Sequence, residues 1–157
     1  MNMLKAKCVL VAGLAAIALL NGCAIQKVVH PLPPNSAITE VCILENPKVT
    51  IPDFLQIVQD GIERNGLRSR VYREIPTTCS YVLEYVAFQR WDFTLFMSEA
   101  EIKLYHQREL VGSTSYKLPT GIFGMGGINP EKWNSTKEKL DPLLDELFQH
   151  CSSAKPR

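Results

Sequence analysis

The sequence predicts an α+β fold, a two-layer sandwich in which two helices cover one face of a mostly antiparallel sheet of four to five strands. Three observations predict it. Between residues 67 and 118 apolar and polar side chains alternate with the period of two that a half-buried strand requires. Two segments, near residues 52–65 and 135–151, switch to the 3.6-residue period of an amphipathic helix. The resulting order β-α-β-β-β-β-α gives the two helices one economical place to bury their apolar stripes, side by side on a single sheet face.

Ala37 to Glu45 opens the domain with Ile38, Val41, Cys42, Ile43 and Leu44, nearly continuous apolar, as in a strand covered on both faces. Asn46-Pro47 ends it. From Pro52 to Asn65, Leu55, Val58 and Ile62 with Phe54, Ile57 and Gly61 form one helical face, and Gln56, Gln59, Asp60, Glu63 and Arg64 form the other. Pro52 suits the first turn and Gly66 the carboxyl-terminal cap. Leu67 to Arg73 alternates again, and a parallel pairing with the first strand would require a right-handed crossover. After the break at Pro76 to Ser80, Tyr81 to Arg90 sets Tyr81, Leu83, Tyr85 and Ala87 against Val82, Glu84, Val86 and Phe88. Trp91-Asp92 reads as a turn or bulge. Phe93 to Gln107 reads as one long strand with an irregularity near Ser98, Gln107-Arg108-Glu109 as a hairpin turn, and Leu110 to Leu118 as the last strand. The closing helix has two candidate starts: Asn129 with Pro130 behind it, or Ser135 with Glu138 in a capping box. Leu140, Leu143, Leu144, Leu147, Phe148 and Cys151 make its apolar face, while Pro142 predicts a kink or a later start at Asp141.

Ahead of this domain, Lys5 and Lys7 precede an apolar run from Cys8 to Leu20 and then small residues, the three regions of a secretory signal. The run is shorter than the about 20 apolar residues of a spanning helix. At its end, Leu20, Asn21, Gly22 and Cys23 resemble the lipobox of bacterial lipoproteins, with Asn21 a departure from the usual small residue. That resemblance implies a signal peptide over 1–22, a mature chain beginning at acylated Cys23, and stable membrane attachment through several acyl chains. Ala24, in place of the Asp that retains such proteins in the inner membrane, implies the outer membrane, facing the periplasm. Residues 23–36, with Pro31, Pro33 and Pro34, read as a semi-extended tether. The domain spans 37–151, and 152–157 reads as a flexible tail.

Removing residues 1–22 from the 157 leaves 135, enough for one domain with a core. The remaining 15 basic and 16 acidic side chains give −1, which argues against a nucleic-acid partner. Of five cysteines, Cys8 leaves with the signal and Cys23 takes lipid. Cys42, Cys79 and Cys151 allow three single pairings. Cys42–Cys79 is favoured, since both stand at strand starts in a compartment that permits disulfides; the alternative is two buried free thiols.

From Ala37 to Cys151 the chain also resembles, more loosely, the small α+β domain of periplasmic assembly components. These are the amino-terminal domain of the Tol-system β-propeller protein, the curli-secretion lipoprotein and the lipopolysaccharide-assembly lipoprotein. The resemblance is carried by the Phe54 to Gly66 helix with Leu67, by Cys79-Ser80-Tyr81-Val82-Leu83, and by the Leu143 to Phe148 helix. With the lipobox, it is similar to small proteobacterial outer-membrane lipoproteins. It implies an envelope protein partner and allows a homo-oligomer, as the curli relative forms a ring. It defines no catalytic residue.

The residues themselves point to no cofactor, metal or catalytic site. His30, His106 and His150 lack a second ligand at metal spacing. His150 and Cys151 are adjacent, so their side chains diverge by about 100° on a helix. Glu99 and Glu101 share a strand face at about 6.5 to 7 Å, a spacing that glycoside hydrolysis could use but that a solvated face explains better. Gly121 to Gly127 lacks the Lys-Ser/Thr ending of a phosphate loop. Its Ile122, Phe123 and Met125 are candidates for docking on a partner or on lipid; equally, the loop could tuck onto its own sheet. The reading is a non-enzymatic binding or assembly module, against a small hydrolase or a carrier of an apolar ligand.

Overall fold

Apolar alternation and helical stripes fold into one sheet with one helical layer. The computed structural model describes residues 24–34, 36–119 and 130–151. Among these, the strands are β1 (Gln26–His30), β2 (Glu40–Leu44), β3 (Arg68–Tyr72), β4 (Tyr81–Asp92), β5 (Thr94–His106) and β6 (Glu109–Lys117). The helices are α1 (Phe54–Arg64), between β2 and β3, and α2 (Thr136–Leu147), which follows a short 3-10 turn at Pro130–Trp133. The six-stranded sheet has the order β1-β6-β5-β4-β2-β3. β2 is parallel to both β3 and β4, and the remaining neighbours are antiparallel. The α+β class stands, with a mixed sheet and one strand more than the upper expectation.

The additional strand lies in the proline-containing segment expected to be a tether. Gln26–His30 pairs with β6 from Gln26↔Lys117 to His30↔Ser113. Leu32 is fully buried, and its N–H donates to the Leu147 carbonyl at 3.0 Å. The tether reading fails because the prolines begin at Pro31, after the strand, so they do not interrupt its ladder. Gln26 to His30 reads polar, polar, apolar, apolar, polar, so no period of two marks this strand in the sequence. The domain therefore begins at β1, and Ile25 already packs against its core.

Each helix boundary follows from local chemistry. In α1 the buried residues are Phe54, Ile57, Val58, Gly61 and Ile62, as expected from the sequence, while Leu55, expected on the same face, is only partly buried. Gly66, at φ 82°, supplies the left-handed residue after the helix, and its N–H donates to the Glu63 carbonyl at 2.9 Å. Of the two candidate starts for the closing helix, Ser135 is the one used, capping α2 with the complete capping box; Asn129 lies outside the described residues, and Pro130 behind it opens the separate 3-10 turn. The Ser135 N–H donates to Glu138 Oε2 at 2.8 Å, while Ser135 Oγ accepts from the Glu138 N–H at 3.2 Å. The helix continues through Pro142, so no later start occurs at Asp141.

The two helices meet at Gly61. A Cβ there would fall 2.6 Å from Leu144 Cδ1 and 3.0 Å from Leu144 Cβ, so only glycine allows this approach. Arg64 then pairs with Asp145 at 2.8 Å and Asp141 at 3.3 Å across the helix pair. Beneath lie Val41, Ile43, Leu83, Ile102, Leu104 and Tyr116 on the sheet. A disulfide joins Cys42 to Cys79 with a Cα separation of 6.2 Å, tying β2 to the segment that leads into β4.

Two outcomes are expected from this packing. Gly61→Leu forces the helices apart and destabilises the domain by about 1–3 kcal/mol, read as a lower urea midpoint; an unchanged midpoint would refute the contact. Replacing both Cys42 and Cys79 by Ser releases a cross-link of sequence separation 37 and costs about 2–4 kcal/mol. Reductant should then lower the wild-type midpoint and leave the double variant where it is.

Candidate functional site

The longest hairpin, β4–β5, outgrows the sheet around it. β6 ends at Lys117 opposite Glu99, and β2 reaches β4 only at Val82 and Leu83. Residues 89–97 consequently form a two-stranded arm with no further strand beside it among the described residues. A bulge marks its base: Phe88 faces Glu99 and Gln89 faces Met97, leaving Ser98 unopposed, the irregularity expected there. Ser98 Oγ–H donates to the Phe88 carbonyl at 3.2 Å, and the Ser98 carbonyl accepts from the Leu118 N–H at 2.9 Å.

Buried lysines brace the inner side of the arm. Lys132, on the 3-10 turn, directs its ammonium to the Asp92 carboxylate and lies 4.6 Å from the centroid of Trp133 and 5.3 Å from that of Phe96. Lys139, on α2, donates to the carbonyls of Met97 at 3.1 Å and Lys132 at 2.7 Å. Its Nζ also stands 5.5 Å from the Tyr116 ring centroid and 5.8 Å from that of Phe96. Burial pushes the Lys139 ammonium down to about 8 and, with the Glu131 carboxylate, pushes the Tyr116 hydroxyl up to about 12. Such buried charges contribute little net stability, but their hydrogen bonds fix where the arm points.

The outer side of the arm is apolar and, among the described residues, uncovered. Phe93 is 90% exposed, Trp91 72% and Leu95 59%. Trp91 stands opposite Leu95, and its ring centroid lies 6.5 Å from that of Phe93. Phe93 occupies the turn itself at φ 58°, a left-handed conformation usually left to glycine or asparagine. The sequence signal was present in Trp91-Asp92-Phe93-Thr94-Leu95, where large apolar residues flank and occupy a turn. Read as strand periodicity, those residues gave no hint that their neighbours stop short.

Other candidates separate. Cys23, Ile122, Phe123 and Met125 lie outside the described residues, while Cys42 and Cys79 are joined as expected. Glu99 pairs with Lys117 at 3.5 Å and Glu101 with Lys103 at 2.9 Å, so each carboxylate has its own cation. A hollow of about 340 Å³ on the open face is lined by Glu101, Glu84, Lys103 and Tyr105, with Glu99 outside it. The Cys151 thiol is half-buried against the core, and burial pushes its pKa up, opposite to the need of a nucleophile. His106 stacks on Tyr81 at 4.4 Å, and His30 is exposed on β1. Among the described residues, no group of three or more His, Cys, Asp or Glu side chains could hold a metal ion.

No family model and no curated protein matches the chain. Solved structures do. The PelC dodecamer from Paraburkholderia phytofirmans aligns at TM-score 0.52 and 11% identity, covering 85% of this chain and 100% of that one. A point variant of the same dodecamer aligns at TM-score 0.53 and 12% identity, covering 84% of this chain and 100% of that one. The likeness at this identity is one of fold. A minor lipoprotein from Acinetobacter baumannii aligns at TM-score 0.37 and 14% identity, over 79% of this chain and 100% of that chain.

The buried Lys139 yields a pH signature. Its proton is held less tightly in the folded state than in the unfolded one, so the cost of burying the charge is fully present below about pH 8 and is relieved as pH rises from there. Tyr116 acts oppositely above about pH 10, where the unfolded phenol ionises first. Wild-type stability should therefore rise between about pH 8 and 10 relative to Lys139→Met, compared by urea midpoints. Parallel pH curves would refute the assignment.

Proposed function

We propose that this chain is a lipoprotein anchored through Cys23 in the outer membrane, facing the periplasm, and that it acts as a non-enzymatic binding or assembly accessory of the cell envelope. The observation that carries this reading is the Leu20-Asn21-Gly22-Cys23 boundary immediately ahead of a folded, disulfide-containing domain. A cross-linked domain suits an oxidising compartment. No helix among the described residues is long and apolar enough to cross a membrane, which is compatible with attachment by acyl chains.

A role in assembly is supported by the fold. Among the described residues no strand pairs with the outer edges of β1 and β3, where another strand could add. The PelC structures that share the fold are dodecamers, which supports self-association here too. The separately paired carboxylates and the raised Cys151 pKa favour binding over hydrolysis.

Cys23→Ser tests the anchor. The variant should lose incorporation of labelled palmitate and move from the membrane fraction to the soluble periplasm. Acylation persisting in the variant would overturn the reading. Light scattering of the detergent-purified protein should give a mass several times that of one chain; a monomer at all concentrations would remove self-association from the proposal.

A further inference from the structure

The aromatic arm and the first residue of β1 lie at the same end of the sheet. Gln26 pairs with Lys117, which pairs with Glu99, and β1 runs from this level away from the β4–β5 turn. Followed backward from Gln26, the direction of β1 points toward the turn. Ile25 is packed on the core, so Ala24 alone separates it from Cys23. Three residues reach at most about 10 Å. Phe93, six positions along the hairpin from Glu99, lies about 20 Å farther in the same direction if the strand is extended.

We infer that the tip of the β4–β5 arm, Trp91, Phe93 and Leu95, inserts into the leaflet that holds the acyl chains of Cys23. The inference rests on the proposed lipid anchor, which fixes the occupant of the apolar surface. A bilayer holding acyl chains within about 10 Å of Gln26 occupies the space into which the arm projects. The chemistry of the tip agrees: two aromatic rings and a leucine suit the headgroup and upper acyl region, where Trp is enriched. The left-handed Phe93 puts a ring at the outermost point of the turn, where a smaller residue would relieve the backbone. Lys132 and Lys139 brace the arm from behind, so its direction is set before it meets lipid.

Trp91 and Trp133 are the two tryptophans of the chain, so Trp133→Phe leaves Trp91 as the single reporter. Protein purified from membranes is reconstituted through its own anchor into vesicles of phosphatidylethanolamine and phosphatidylglycerol, with and without brominated acyl chains. The expected result is a blue-shifted Trp91 emission, quenched about twofold or more by the brominated lipid. Phe93→Ser in that background should reduce the quenching while thermal unfolding stays the same, because this side chain is 90% exposed. Water-like, unquenched Trp91 emission would overturn the inference. The intact mass of the same sample reads acylation of Cys23 separately: an acylated protein with water-exposed Trp91 refutes insertion alone, and an unmodified Cys23 refutes the anchor. A photo-crosslinker at Phe93 that captures protein rather than phospholipid in cells would also overturn the inference, assigning the tip to a protein partner.

Discussion

The close approach of α1 and α2 at Gly61 and Leu144 is the constraint on which the rest of the domain depends. Two amphipathic helices must share one sheet face, and the space available is set by how near their axes come. Gly61 removes the side chain that would separate them, and Leu144 fills the gap. This proximity lets Arg64 reach both Asp141 and Asp145. It also keeps Leu143, Leu147 and Phe148 over the sheet, with Leu147 accepting a backbone hydrogen bond from Leu32. The first and last parts of the domain are therefore closed by the same helix.

From that closed layer the β4–β5 arm departs, and its independence is managed by buried polar groups. A two-stranded ribbon alone is marginal in water. Here Lys139 joins β5 to the 3-10 turn through carbonyl hydrogen bonds, while Lys132 pairs with Asp92 near the tip. The aromatic rings of Phe96, Tyr116 and Trp133 surround the two ammonium groups. Among the described residues, the arm thus has polar support on one side and uncovered apolar side chains on the other.

Much of the fold was legible because it rests on local periodicity. The stripe Phe54, Ile57, Val58, Gly61, Ile62, the Ser135–Glu138 capping box, the turn at Gln107-Arg108 and the irregularity at Ser98 all express near-neighbour chemistry. The Cys42–Cys79 pairing was legible from strand starts and compartment together. Strand β1 was not, because five residues without alternation acquire meaning only beside β6. Nor was the arm, since exposure of Trp91 and Phe93 depends on where β2 and β6 stop.

By itself the sequence determined the class of the fold, its helical faces and caps, the lipobox-like boundary at Cys23, and which cysteines stand ready to pair. These are properties of short segments, set by periodicity, capping and residue chemistry. Tertiary structure alone decided that residues 26–30 belong to the sheet, that Lys132 and Lys139 are buried, and that an aromatic tip emerges at the end of the sheet where β1 starts. Those features require distant segments to align in register, and register is fixed by the shared core.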